Sequence, residues 1–132
     1  MKEWMGGENM EKLDTVQRFG KLNEVYRIGG EGPGGAYHTY AIAEADRSGD
    51  GNPVIAIIKF QMGPRSEETS RRGVLDSDLI EIVRDRLKAF QEGGYACEPN
   101  ARAIGYLEAA LAAMNERVED RIKRGVLGTT KK

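Results

Sequence analysis

The strongest constraint on the fold lies between residues 73 and 129. There, two apolar stripes recur at helical spacing on either side of a glycine pair. Leu79, Ile80, Val83, Leu87 and Phe90 form the first stripe. Ile104, Leu107, Leu111, Met114, Val118 and Ile122 form the second. Side chains three and four residues apart share one face of an α-helix, so each stripe predicts an amphipathic helix. Gly93-Gly94 separates them, because glycine accepts the left-handed backbone that ends a helix. Asp76 or Ser77 is expected to cap the first helix, with Asp78 and Glu81 complementing its dipole. Pro99 suits the first turn of the second, and Gly125 closes it after the cations Lys123 and Arg124. The two predicted helices fold back as a hairpin. Ala103, Ala110 and Ala113 leave room for a further helix to approach.

Upstream, the period shortens to two. Residues 13–19 and 23–28 are β-rich and separated by Gly20-Lys21-Leu22. Residues 37–45 alternate, with His38, Tyr40, Ile42 and Glu44 on one face and Tyr37, Thr39, Ala41 and Ala43 on the other. Residues 54–61 are the most apolar and are expected to be the central strand. Short turns between successive strands, including the stretch 46–52, imply an antiparallel meander. The expected organisation is a flexible N-terminal arm (1–12), on which Trp4 is either an anchor or a surface residue. A small antiparallel β domain with its connecting loop follows (13–75), and then the helical hairpin (76–132). The fold class is α+β. With 17 glycines in 132 residues a lone protomer buries little area, so the hairpin is expected to mediate oligomerisation.

Charge and composition exclude several functions. Residues 1–70 carry 8 basic and 11 acidic side chains, and residues 71–132 carry 12 and 10. The net charge of -1 offers no pull on DNA or RNA, while an anionic small ligand would prefer the helical part. No uncharged apolar stretch approaches a membrane span, and the N-terminus lacks the apolar region of a signal peptide. A single cysteine, Cys97, leaves no intrachain disulfide and fits a reducing cytoplasm.

The motif candidates are few. Gly30-x-Gly32-x-x-Gly35 matches a dinucleotide fingerprint by letter, but a strand follows where a helix N-terminus should receive phosphate, so a hairpin loop is expected. Asp46-x-Ser48-x-Asp50-Gly51 opens like a calcium loop, yet its twelfth position is Ile57 rather than a bidentate glutamate. His38, the one histidine, is either structural or a ligand contact. Cys97 is expected to be a packed thiol. Neither residue has the partners of a nucleophilic site or a zinc site, so no catalytic set, metal or cofactor is expected. Arg117 and Arg121 share a helical face. They are either solvated cations paired with Glu116, Glu119 or Asp120, or a two-arginine clamp for phosphates. Phe90 is either core or a stacking ring, with Asn100 beside it to read a polar edge. Asn100 and Arg117 are 17 residues apart, which is roughly 25 Å on one helix. One compact nucleotide cannot touch both within a protomer. If both ends serve one ligand, two hairpins must pack antiparallel about a two-fold axis.

Three stretches carry a family resemblance. They are FQ-x-GP at 60–64, LDSDLIEIVRDRLKAFQ-x-G at 75–93, and N-A-x-A-x-x-x-L-E-x-A-L ending in R-x-x-x-R-x-x-RGV-x-GT at 100–129. They resemble the phage-encoded Thoeris anti-defence family of the first type, whose helical hairpin is shared with phage anti-CBASS sponges. The resemblance implies a sponge in the cytoplasm of the infected bacterial host. It would bind a cyclic ADP-ribose isomer without cleaving it, so that the Thoeris effector stays inactive. Some members also hold cyclic di- or trinucleotides at separate sites in a hexamer. By motif match, Phe90, Asn100, Arg117 and Arg121 fall on the signal-binding positions, and Arg65 follows the Gly63-Pro64 pair. The chain departs from the family at Ala113-Met114, where Trp-Leu is common, and at Arg72-Gly73, where Asn-Gly is common. The alternatives are a sponge for cyclic di- or trinucleotides alone, an enzyme that degrades the signal, and a phage structural protein.

Overall fold

The computed structural model describes residues 2–3, 7–45 and 52–132. Trp4 and the turn and calcium-like motif beginning at Asp46 lie outside the described residues, apart from Asn52. Five strands precede two helices: β1 (Lys2–Glu3), β2 (Asn9–Lys12), β3 (Asn23–Ile28), β4 (Thr39–Glu44), β5 (Val54–Lys59), α1 (Asp76–Glu92) and α2 (Glu98–Lys123). The α+β class is as expected. Chain packing divides the protein into two compact units, residues 1–63 with 71–73, and residues 64–70 with 74–132.

In the first unit the strands pair antiparallel in sequence order, β1-β2-β3-β4-β5, which is the expected meander. Tyr26 lies opposite Ala41, which lies opposite Ile57. This register puts Met10, Tyr26, Ile28, Ala41 and Ala43 into one buried cluster. Ala41 and Ala43 are fully buried, and the Tyr26 phenol oxygen accepts a 2.7 Å hydrogen bond from Asn52. Elsewhere in this unit, Glu11 pairs with Arg27, whose guanidinium stacks 4.6 Å from the Tyr37 ring centroid. The hydrogen bond that Arg27 donates to the Glu11 carboxylate pushes the Arg27 pKa up from its ordinary value.

Two strand expectations are corrected. Residues 13–19 form no strand. Thr15 Oγ1 donates to the Gln17 carbonyl at 2.8 Å and Gln17 Nε2 to the Phe19 carbonyl at 3.0 Å, so local side chains capture the backbone that a ladder would use. Phe19 is left 88% exposed. The strand that pairs with β3 is β2, eleven residues upstream of β3 and within the stretch read as an arm. The most apolar strand, β5, is at the end of the sheet order rather than at its centre, and Ile55 and Ile57 are half-exposed.

The second unit contains the predicted hairpin. Its first helix is not capped by Asp76 or Ser77. Leu75 takes the cap position, and Asp78 Oδ2 reaches back to accept the Leu75 N–H at 2.8 Å. Both helices close in the same way. Gly94 and Gly125 turn left-handed, at φ 100° and 70°, and the next residue's N–H returns to the carbonyl of the last turn. Tyr95 bonds Phe90 at 3.1 Å and Val126 bonds Arg121 at 3.0 Å. This is the closure that glycine permits at little steric cost. Across the hairpin, Arg84 meets Glu108 at 2.7 Å, and that hydrogen bond raises the Arg84 pKa. No residue of either helix is buried. The two apolar stripes are half-covered only, and Val118 and Ile122 remain exposed.

Candidate functional site

The candidates of the hairpin sort to its two ends. At the turn end, Phe90 closes α1 and Asn100 lies in the first turn of α2. The Phe90 ring meets Tyr95 edge-to-face at 6.4 Å, and the Arg86 guanidinium lies 5.3 Å from its centroid. Phe90 nonetheless stays 38% exposed. Gln91 organises this turn. Its side-chain amide accepts the Cys97 N–H at 2.9 Å and donates to the Cys97 carbonyl at 3.1 Å. This two-way bond fixes where α2 begins. Cys97 itself is exposed, not packed as expected, because its backbone rather than its thiol is held. Replacing Gln91 with alanine is expected to cost about 1 kcal/mol or more. In a thermal melt followed by circular dichroism at 222 nm, the midpoint should fall by several degrees, on the order of 5 °C.

At the other end, Arg117 is exposed and makes no hydrogen bond or ion pair among the described residues. Two of the three carboxylates that could have neutralised it are used elsewhere, and Glu116 makes no ion pair with it among the described residues. Glu119 bonds Asn115 at 3.2 Å, and Asp120 pairs with Arg124 at 3.0 Å. Arg121 differs sharply from Arg117. Its Nη1 donates to the Lys131 carbonyl at 2.7 Å, and its Nη2 donates to the carbonyls of Val126 and Thr129, each at 3.0 Å. The C-terminal tail therefore wraps this guanidinium. Ser66 Oγ donates to the Gly128 carbonyl at 2.7 Å, which ties the segment holding Arg65 to the same tail. Arg65 and Arg121 are thus brought to one end of the hairpin, while Phe90 and Asn100 are at the other. α2 is unbroken over 26 residues, so nothing shortens the separation of Asn100 from Arg117.

His38 belongs to the sheet unit. Its Nε2 lies 2.9 Å from the Pro33 carbonyl, and its ring packs so closely on Gly32 that a Cβ there would fall 2.7 Å from Cδ2. The glycine-rich loop forms a short 3-10 turn over Pro33–Gly35 and leads into β4, not into an α-helix. Arg71, between β5 and α1, anchors the connection that follows β5. It bonds the His38 carbonyl at 2.6 Å, Thr39 Oγ1 at 3.1 Å and the Phe60 carbonyl at 3.0 Å. Gln91, Ser66 and Arg71 have no periodic signature. Gln91 and the tail residues Val126, Gly128 and Thr129 do fall on letters of the quoted motifs. Among the described residues no cluster of three or more His, Cys, Asp or Glu is placed to hold a metal. No described helix is long and apolar enough to cross a membrane.

Fold and site together define an α+β chain with a cationic, partly self-occupied end on a long helical hairpin. Over 78 residues the chain is 44% identical to the protein named Thoeris anti-defense 1 of Bacillus phage SBSphiJ7. The match covers 59% of this chain and 54% of that protein, so the chain spans about half the length of the curated relative. This likeness supports the Thoeris anti-defence family for this chain. No protein-family profile matches it.

Proposed function

We propose that this protein blocks Thoeris immunity by binding a cyclic ADP-ribose isomer and holding it intact in the infected bacterial cell. The observation that carries this reading is the 44% identity to a protein named for Thoeris anti-defence. The site chemistry agrees with it. Arg117 offers a guanidinium with no acceptor among the described residues, suited to two-pronged recognition of phosphate oxygens. Phe90 offers a part-exposed ring for the adenine, and Asn100 donors and acceptors for its polar edge.

Because these groups sit at opposite ends of one hairpin, the complete pocket takes Phe90 and Asn100 from one chain and Arg117, Arg121 and Arg65 from a second. Two antiparallel hairpins form the unit, and three such units a hexamer. Half-covered apolar stripes on both helices favour this pairing, since their association removes further apolar area from water. Cyclic di- or trinucleotides are proposed for separate sites of the assembly. The protein acts by sequestration, not by catalysis.

The test is incubation with a cyclic ADP-ribose isomer, followed by filtration, heat denaturation and mass analysis of the released molecule. Unchanged ligand should be recovered, at one per chain. A hydrolysed product would make the protein an enzyme, and no retention would remove the reading altogether. Sedimentation of the same sample should give an oligomer. A strict monomer that binds through both Asn100 and Arg117 would sink the shared pocket.

A further inference from the structure

The geometry points to a latch: we propose that residues 126–132 compete with an anionic ligand for Arg121 and must release it before the pocket can close. This inference rests on the reading of Arg121 as an anion grip. A guanidinium carries five N–H donors. It grips an anion with two parallel hydrogen bonds along either of two edges, one formed by Nε and Nη2 and the other by Nη1 and Nη2. Each edge uses an Nη2 hydrogen. Nη2 already donates to the tail twice, to the carbonyls of Val126 and Thr129, each at 3.0 Å. Nη1 gives a third to Lys131 at 2.7 Å. With the tail in place, Arg121 presents no free two-pronged edge, although its charge is intact.

The tail is held as a built element. Gly128 takes φ 77°, a backbone that favours glycine. Thr129 Oγ1 donates to the Val126 carbonyl at 2.6 Å and accepts the Lys131 N–H at 3.2 Å, folding the tail into a turn around the guanidinium. Ser66 fastens this turn from outside through Gly128. Release of the tail therefore frees two things at once, the Nη2 edge of Arg121 and the segment next to Arg65. Arg117 has no such restraint among the described residues and is available to a ligand from the start. The latch makes the competent state a fraction of the population, and the observed affinity is weakened by that fraction.

The test uses the full chain with Ser66→Ala and, separately, Thr129→Ala. Each removes a side-chain tie of the tail and leaves Arg117 and Arg121 in place. Calorimetric titrations with inorganic pyrophosphate and with cyclic ADP-ribose should give binding about threefold to tenfold tighter than in the unaltered chain. In an Arg121→Ala background the gain should vanish. Hydrogen exchange should also quicken at the amides of residues 129–132 when pyrophosphate saturates the unaltered protein. Equal or weaker binding in both variants would overturn the latch, as would slower exchange. If pyrophosphate binding tightens while cyclic ADP-ribose does not bind, the latch stands and the ligand assignment falls. If cyclic ADP-ribose binds with the same affinity to all three chains, the assignment stands and the latch falls. If neither probe binds any of the chains, both fall.

Discussion

Replacing Arg117 with alanine is expected to weaken binding of a cyclic ADP-ribose isomer by about thirtyfold. Removing one partner of a charge-assisted contact costs about 2 kcal/mol, and about 1.4 kcal/mol corresponds to tenfold in affinity. Arg117 is the right residue for this test because its removal breaks no hydrogen bond or ion pair among the described residues. A melt should therefore leave the transition of Arg117→Ala within a degree or two of the unaltered protein, while calorimetry registers the full loss. Arg121→Ala is a poorer probe, since it also removes three hydrogen bonds to tail carbonyls. High salt should weaken binding only in part, because charges in a pocket are screened less than surface charges. An unchanged affinity in Arg117→Ala would remove the clamp from the pocket.

The second large effect lies in the sheet unit. A Cβ added at Gly73 would fall 2.4 Å from both the Lys59 carbonyl oxygen and the Phe60 carbonyl carbon. Those neighbours are backbone and cannot swing aside. Gly73→Ala should therefore displace the returning loop, disturb the paired bonds between Met62 and Arg71, and cost about 2 kcal/mol or more. Circular dichroism should record a midpoint lower by on the order of 10 °C. A melt identical to that of the unaltered chain would mean that the loop does not pack on β5 in this way.

Local pattern carried most of the fold. The strand at Asn23–Ile28 and the two helices are legible because alternation and a 3.6-residue period are written in consecutive side chains. Strand order was less legible. Residues 54–61 look central from apolarity alone, whereas β5 is at the edge and shows half-exposed isoleucines. The stretch 13–19 has β-forming residues but spends its hydrogen bonds on Thr15 and Gln17. For the site, the sequence separates Phe90 and Asn100 from the arginines by helix length. It does not distinguish Arg117 from Arg121, which look alike at i and i+4. Their difference arises from a tail that folds back over one of them and from Ser66, 62 residues away from Gly128. Such long-range ties leave no period to read.

The unbroken course of α2 also acts as a gauge. Between Asn100 and Arg117 each residue adds about 1.5 Å of rise and about 100° of rotation. Substitutions other than proline on the exposed face of that stretch leave the gauge intact. Losing or gaining a single residue swings the arginines by more than a quarter turn relative to Asn100. Length variation among relatives of this chain should therefore collect in the loops and the tail, while the count from Asn100 to Arg117 stays fixed.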